Sequence, residues 1–110
     1  MGVIDNFEAM LAAGKDNALL RFGLGNAYLG QDDPERAIPH LAEAVRLTPD
    51  YSAAWKLYGK ALSAAGRQTE AIAALEQGIA TADAKGDIQA AKEMQVFRRR
   101  ALKALETGED

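Results

Sequence analysis

Cysteine is absent from the 110 residues, and His40 is the only imidazole. The first absence excludes disulfides, thiolate metal sites and cysteine nucleophiles. The second leaves no partner for an imidazole-based metal cluster. Aromatic residues make up 6% of the chain, three prolines and ten glycines give no low-complexity bias, and apolar runs are only a few residues long. No membrane span is expected from runs so short. Near the N-terminus, Asp5 and Glu8 stand where a secretory signal would carry lysines and a long apolar stretch, and Asn6 replaces the Ser or Thr of a myristoylation signal. These absences point to a cytoplasmic location and imply no cofactor and no metal.

What is present is ordinary for one soluble globular domain: 48% apolar and 26% charged residues. A chain of this length buries somewhat under ~70% of its unfolded surface, enough for one continuous core. The net charge of −3 is unevenly spread. Residues 88–105 hold Lys92, Arg98, Arg99, Arg100 and Lys103 against Glu93 alone, which makes a basic strip of +4 on a body of −7.

Apolar residues recur at helical spacing throughout and no stretch alternates like a strand, so the expected class is all-α. Asp5 and Glu8 read as an N-terminal cap for a first helix over residues 5–13, with Gly14 as its stop. Asp16 and Asn17 offer caps for a second helix that ends near Gly30. Asp33-Pro34-Glu35 restarts the chain, with Asp as N-cap, Pro at the first helical position and Glu at the positive pole of the dipole. This third helix runs to about Leu47, and Pro39 at its sixth position predicts a kink or a tightened first turn. Thr48-Pro49-Asp50 breaks the helix, and Asp50 is placed to cap a fourth over residues 51–65. A fifth spans 69–84. Gly86 and Asp87 then separate it from a sixth, whose stripe is Ile88, Ala91, Met94, Phe97, Ala101, Leu102 and Leu105. Residues 107–110 are expected to fray.

Two stretches offset by 34 residues share residue types: Gly25 with Gly59, Ala37 with Ala71, Ile38 with Ile72, Leu41 with Leu75. A period of this length marks a supersecondary unit that buries its apolar face by stacking on its neighbour. The first unit carries Leu24, Gly25, Tyr28, Ala37, Leu41, Ala44 and Pro49. The second carries Trp55, Gly59, Ala71 and Leu75. Both resemble the tetratricopeptide repeat, whose pattern is W-x2-L-G-x2-Y, then A-x3-F, then P. Arg21 replaces the tryptophan of the first unit; Tyr58, Leu62 and Asp83 replace the leucine, tyrosine and proline of the second. The resemblance implies a superhelix of about six antiparallel helices stacked as hairpins, with repeats at about 18–51 and 52–85. A half-unit precedes them, and a capping helix over about 87–106 follows.

The resemblance also implies a function. Tetratricopeptide arrays bind peptides or partner helices in the groove lined by the first helix of each hairpin. Here that face offers Leu19, Phe22, Asn26 and Leu29 from the first unit, and Ala53, Lys56, Lys60 and Ser63 from the second. The implied partner is a protein or peptide with apolar anchors and an acidic group, Lys56 and Lys60 pairing the carboxylate and Asn26 orienting it. The alternative for Lys56 and Lys60 is that they are solvated charges on an exposed face. Phe22 stands where the chaperone-tail-binding subclass carries a lysine, so that particular activity is not implied.

Other constellations carry less. Three consecutive arginines spread over much of a helix circumference, and with few aromatics and a pI of about 5.1 no nucleic-acid binding is expected. Gly23-Leu24-Gly25 lies inside a helix with no preceding strand and is no phosphate loop. Asp32-Asp33 has no neighbouring nucleophile, and His40 reads as a surface or half-buried residue, so no enzyme is expected. The expectation is a small bacterial all-helical scaffold. The second hypothesis is a self-associating module, a homodimer formed through an end where Val3, Ile4, Phe7 and Met10 lack a covering hairpin.

Overall fold

The computed structural model describes residues 2–108. Six helices run through it: α1 Val3–Ala12, α2 Ala18–Gly30, α3 Pro34–Leu47, α4 Ser52–Ala64, α5 Gln68–Ala84 and α6 Ile88–Glu106. No strand occurs among the described residues. The body measures 42 × 32 × 19 Å, and its shortest dimension is two helix diameters of ~10 Å. α2 with α3 and α4 with α5 form antiparallel hairpins. α4 also touches α2 and α6, so α2, α4 and α6 make one layer. α1 packs chiefly on α2.

Side-chain caps fix the starts of three helices. Asn17 accepts from the Leu20 amide at 2.8 Å, Asp33 from that of Arg36 at 3.2 Å, and Asp87 from that of Ala90 at 3.1 Å. Two expected caps are corrected. α1 begins at Val3, so Asp5 lies inside the first turn and accepts from the Gly2 amide, while Glu8 is turned toward α2. Asp50 lies one residue too early to cap α4, whose N-cap position is Tyr51; the Asp50 carbonyl and carboxylate face the Lys85 ammonium instead. α2 ends at Gly30 as expected, but the left-handed residue of the turn is Asp32, with φ 57°. The Asp33 amide then closes on the Tyr28 carbonyl at 2.9 Å. α3 continues as α-helix through Pro39 with no tightened turn, the ring lying on the exposed face. At the C-terminus, Thr107 and Gly108 turn back on the carbonyls of Lys103, Ala104 and Leu105; residues 109–110 lie outside the described residues.

Small residues set the helix spacing. A Cβ at Gly25 would strike the Leu41 side chain, and one at Gly59 would come within 2.5 Å of Leu75 Cγ. Gly78 of α5 likewise makes room for Trp55 and Met94. Leu24, Leu41, Leu62, Leu75 and Met94 fill the layers between hairpins and are fully buried. On α6, Ala91, Met94 and Ala101 are buried as the stripe requires, whereas Ile88 and Leu105 at its ends are 66% and 36% exposed.

Candidate partner-binding groove

Stacking two hairpins and a sixth helix in register places the outward faces of α2, α4 and α6 side by side. Between the C-terminal halves of α2 and α4 lies a hollow of about 370 Å³ lined by Asn26, Leu29, Asp32, Leu57 and Lys60. A smaller one, about 260 Å³, lies between α4 and α6 and is lined by Ala53, Lys56, Gln89, Ala90 and Glu93. Three of the residues expected on this face thus meet in one hollow: Asn26 and Lys60, which are exposed, and Leu29, which is half-buried.

Ala53 lines the smaller hollow, and the other four have surroundings of their own. Leu19, at the first turn of α2, is 71% exposed. Phe22 is half-buried and stacks on Tyr51 with ring centroids 5.0 Å apart, so much of its surface is used in packing. Ser63 Oγ donates to Gln68 Oε1 at 2.7 Å, and Gln68 Nε2 donates to the Ser63 carbonyl at 3.1 Å, which ties both groups into the α4–α5 turn. Lys56 Nζ lies 3.1 Å from Glu93 Oε1. That hydrogen bond, with the lysine's charge, holds the Glu93 carboxyl below the usual carboxylate range.

Lys60 is in a different state. Its ammonium lies 5.2 Å from the centre of the Phe97 ring, and the Arg100 guanidinium lies 5.7 Å from the same ring. Neither cation has a carboxylate partner among the described residues. Two cations without an ion-pair partner among the described residues therefore converge on one aromatic ring, and one of them, Lys60, lines the larger hollow together with Asp32. The sequence does not place Phe97 and Arg100 in the groove, because Phe97 belongs to the stripe of α6 and Arg100 sits in an arginine run. The run does spread around the helix: Arg98 bonds Glu76 of α5 at 2.7 and 2.9 Å, Arg99 points outward, and Arg100 turns to the groove side.

These helical hairpins can be placed among known proteins. The family model of the tetratricopeptide repeat matches residues 22–87, more than half of the chain. The chain belongs to the tetratricopeptide repeat family. A repeat-containing protein of Pseudomonas aeruginosa is 56% identical over 102 residues, covering 93% of this chain and 97% of that protein. A solution structure of a Bordetella parapertussis protein is 44% identical, with a TM-score of 0.81 over 98% of this chain and 96% of that one. A tetratricopeptide domain from Salinibacter ruber is 27% identical, with a TM-score of 0.72 over 80% of this chain and 98% of its own. Tetratricopeptide proteins generally mediate protein–protein contacts and are typically scaffolds rather than enzymes. No described helix is long and apolar enough to cross a membrane, and no group of three or more His, Cys, Asp or Glu gathers as metal ligands among the described residues.

A second polar cluster lies on the opposite flank. Arg21 grips Asp16 through two bonds of 2.8 and 2.9 Å and places Nη1 3.1 Å from His40 Nδ1. Tyr28 donates to Glu8 Oε2 at 3.1 Å and stacks on His40, whose Nε2 lies 3.9 Å from Glu8 Oε1. Burial lowers the His40 pKa most; Glu8 opposes that shift and Arg21 adds to it. Burial first, then the bond to Glu8, raises the Tyr28 hydroxyl. The cluster joins α1, α2 and α3. It explains Arg21 at the tryptophan position: there the side chain anchors the preceding turn and reaches across to α3.

Proposed function

We propose that this chain is a partner-binding scaffold whose groove takes a peptide segment with an apolar side chain next to a carboxylate. The observation that carries this reading is the pair Lys60 and Arg100 over Phe97, two cations with no ion-pair partner among the described residues, Lys60 lining a hollow walled by Leu29 and Leu57 with Asp32 at its other end. The apolar side chain enters the hollow, the carboxylate lies against Lys60 and Arg100, and the Asn26 amide orients it. Lys56 takes a supporting part: with Glu93 already on it, its charge is committed to holding α6 against α4.

Selection from a random peptide library displayed on phage tests the reading. Peptides retained by the chain should be enriched in Asp or Glu next to an apolar residue, and Lys60→Glu should lose them. Enrichment of basic peptides, or equal retention by Lys60→Glu, would place binding elsewhere. Capture of partners by affinity purification, repeated with Lys60→Glu and Arg100→Glu, then identifies the proteins that carry the selected pattern.

A further inference from the structure

The larger hollow carries opposite charges at its two ends. Asn26 of α2 and Lys60 of α4 hold the same place in their repeats, 34 residues apart, and stand at one level of the groove. Gly30 and Ala64, the next equivalent pair, lie one turn further on, and Asp32 lies beyond them in the turn that follows α2. At ~1.5 Å per residue, this sets the carboxylate about 6–9 Å along the groove from the level of Lys60. Leu29 and Leu57 wall the space between.

The neighbouring Asp33 caps α3 and pairs with Arg36. Asp32 is exposed and forms no hydrogen bond or ion pair among the described residues, while Lys60, the cation of the same hollow, is turned to the Phe97 ring. The backbone at Asp32 adds a second observation. Its φ of 57° lies in the left-handed region, and the residue in the same place of the second repeat is Gly66, with φ 80°. Gly14 and Gly86 hold that conformation in the turns after α1 and α5. Glycine adopts it at no steric cost, whereas a Cβ is strained there. Asp32 is the one non-glycine residue with positive φ among the described residues, and its side chain adds no bond to the turn that it strains.

We propose that Asp32 receives a Lys or Arg side chain of the bound peptide, so that the groove takes segments in which an apolar residue lies between an acidic residue and a basic one. This rests on the groove binding proposed above: the carboxylate lies against Lys60 and Arg100, the apolar side chain enters between Leu29 and Leu57, and the basic side chain ends at Asp32. An extended peptide advances ~3.3 Å per residue, so the basic residue stands two or three positions from the acidic one. The charges also orient the segment. Turned end for end, it would set its acid against Asp32 and its base against Lys60. The basic group is a side chain rather than a chain end, because Gly30 and Asp32 are both exposed and leave that end of the hollow open for the peptide to continue.

The test is selection from a random peptide library displayed on phage against the full chain, Asp32→Asn and Asp32→Gly, with thermal melting of all three. Peptides retained by the wild type should carry Lys or Arg two or three positions from the Asp or Glu, beyond the apolar residue. Both variants should keep the enrichment in acidic and apolar residues and lose that in basic ones. A synthetic peptide from the selection should bind the wild type roughly two- to fivefold more weakly once its basic residue is changed to Gln, the size of one exposed ion pair, and should show no such loss on Asp32→Asn. Acetylating its N-terminus should change nothing; weaker binding would give the contact to a chain end and overturn the side-chain assignment. Asp32→Gly should melt no lower than the wild type. Acidic and apolar enrichment without a basic preference overturns this proposal and leaves the groove reading standing, whereas absence of acidic enrichment overturns both. A basic preference that survives in both variants, or a lower melting temperature of Asp32→Gly with an unchanged selection, removes Asp32 from the site.

Discussion

Lys56 Nζ lies 3.1 Å from Glu93 Oε1, and the two residues are 37 positions apart, three more than the repeat period. α5 has 17 residues where α3 has 14, so α6 does not repeat on α4 the register of α4 on α2. In this register one lysine of α4 meets a carboxylate and the next, Lys60, meets the ring of Phe97.

The two lysines should therefore respond differently to charge reversal. Lys60→Glu should abolish binding of acid-bearing peptides and leave the thermal transition unchanged. Lys56→Glu should set two carboxylates together and loosen α6, lowering the melting temperature and raising amide exchange in α6 first. Peptide titration and exchange mapping of both variants check this, and the reverse pattern would exchange their assigned roles.

A methyl group added at Gly59 should destabilise the fold although it favours the helix. Alanine gains about 1 kcal/mol of intrinsic helix preference over glycine. Against that, the new Cβ would lie 2.5 Å from two atoms of Leu75, and overpacking of a filled core costs about 1–3 kcal/mol. Urea unfolding of Gly59→Ala should show a lower midpoint with an unchanged slope.

Phe7→Ala should release α1 and spare the hairpins. α1 has no fully buried residue and packs chiefly on α2, with Phe7 its aromatic contact there. A half-buried ring is worth about 1–2 kcal/mol, less than the ~3–5 kcal/mol of a fully buried one. Hydrogen exchange should lose protection in residues 3–12 while α4 and α5 keep theirs.

His40 should make stability fall on acidification. Its folded pKa lies below the ordinary 6.5, chiefly through burial, so protonation is easier in the unfolded chain. The stability it contributes is complete above pH 6.5 and declines as pH falls through the lower folded value. The charged groups that face it are Glu8 of α1, Arg21 of α2 and Asp16 of the preceding turn. Urea unfolding between neutral pH and about pH 5 should show a shallower decline for His40→Gln than for the wild type.

Much of this fold is legible in the sequence because its determinants are local or periodic. Asn17, Asp33 and Asp87 announce their helices by cap chemistry, and Gly25 with Gly59 marks the close approaches. Asp5 and Asp50 misled because a residue with cap chemistry need not stand at the helix start: α1 begins two residues before Asp5 and α4 two residues after Asp50. The groove is legible in part. The face of each helix follows from periodicity, so Asn26, Leu29 and Lys60 could be grouped. The state of each charge depends on where α6 lands, which is why Lys56 could not be told from Lys60 and why Phe97 and Arg100, read as a buried stripe and a basic strip, were not grouped with Lys60. The network of Asp16, Arg21, His40, Glu8 and Tyr28 joins residues from three elements and has no spacing signature.

The central claim is that Lys60 and Arg100 receive a carboxylate in the groove, and a charge swap measured by calorimetry tests it most directly. A library-selected peptide should bind the wild-type chain, lose binding when its acidic residue is changed to lysine, and fail on Lys60→Glu. The lysine-bearing peptide should regain binding on Lys60→Glu. Equal binding of the acidic peptide to wild type and Lys60→Glu, with no rescue by the lysine-bearing peptide, would contradict the account.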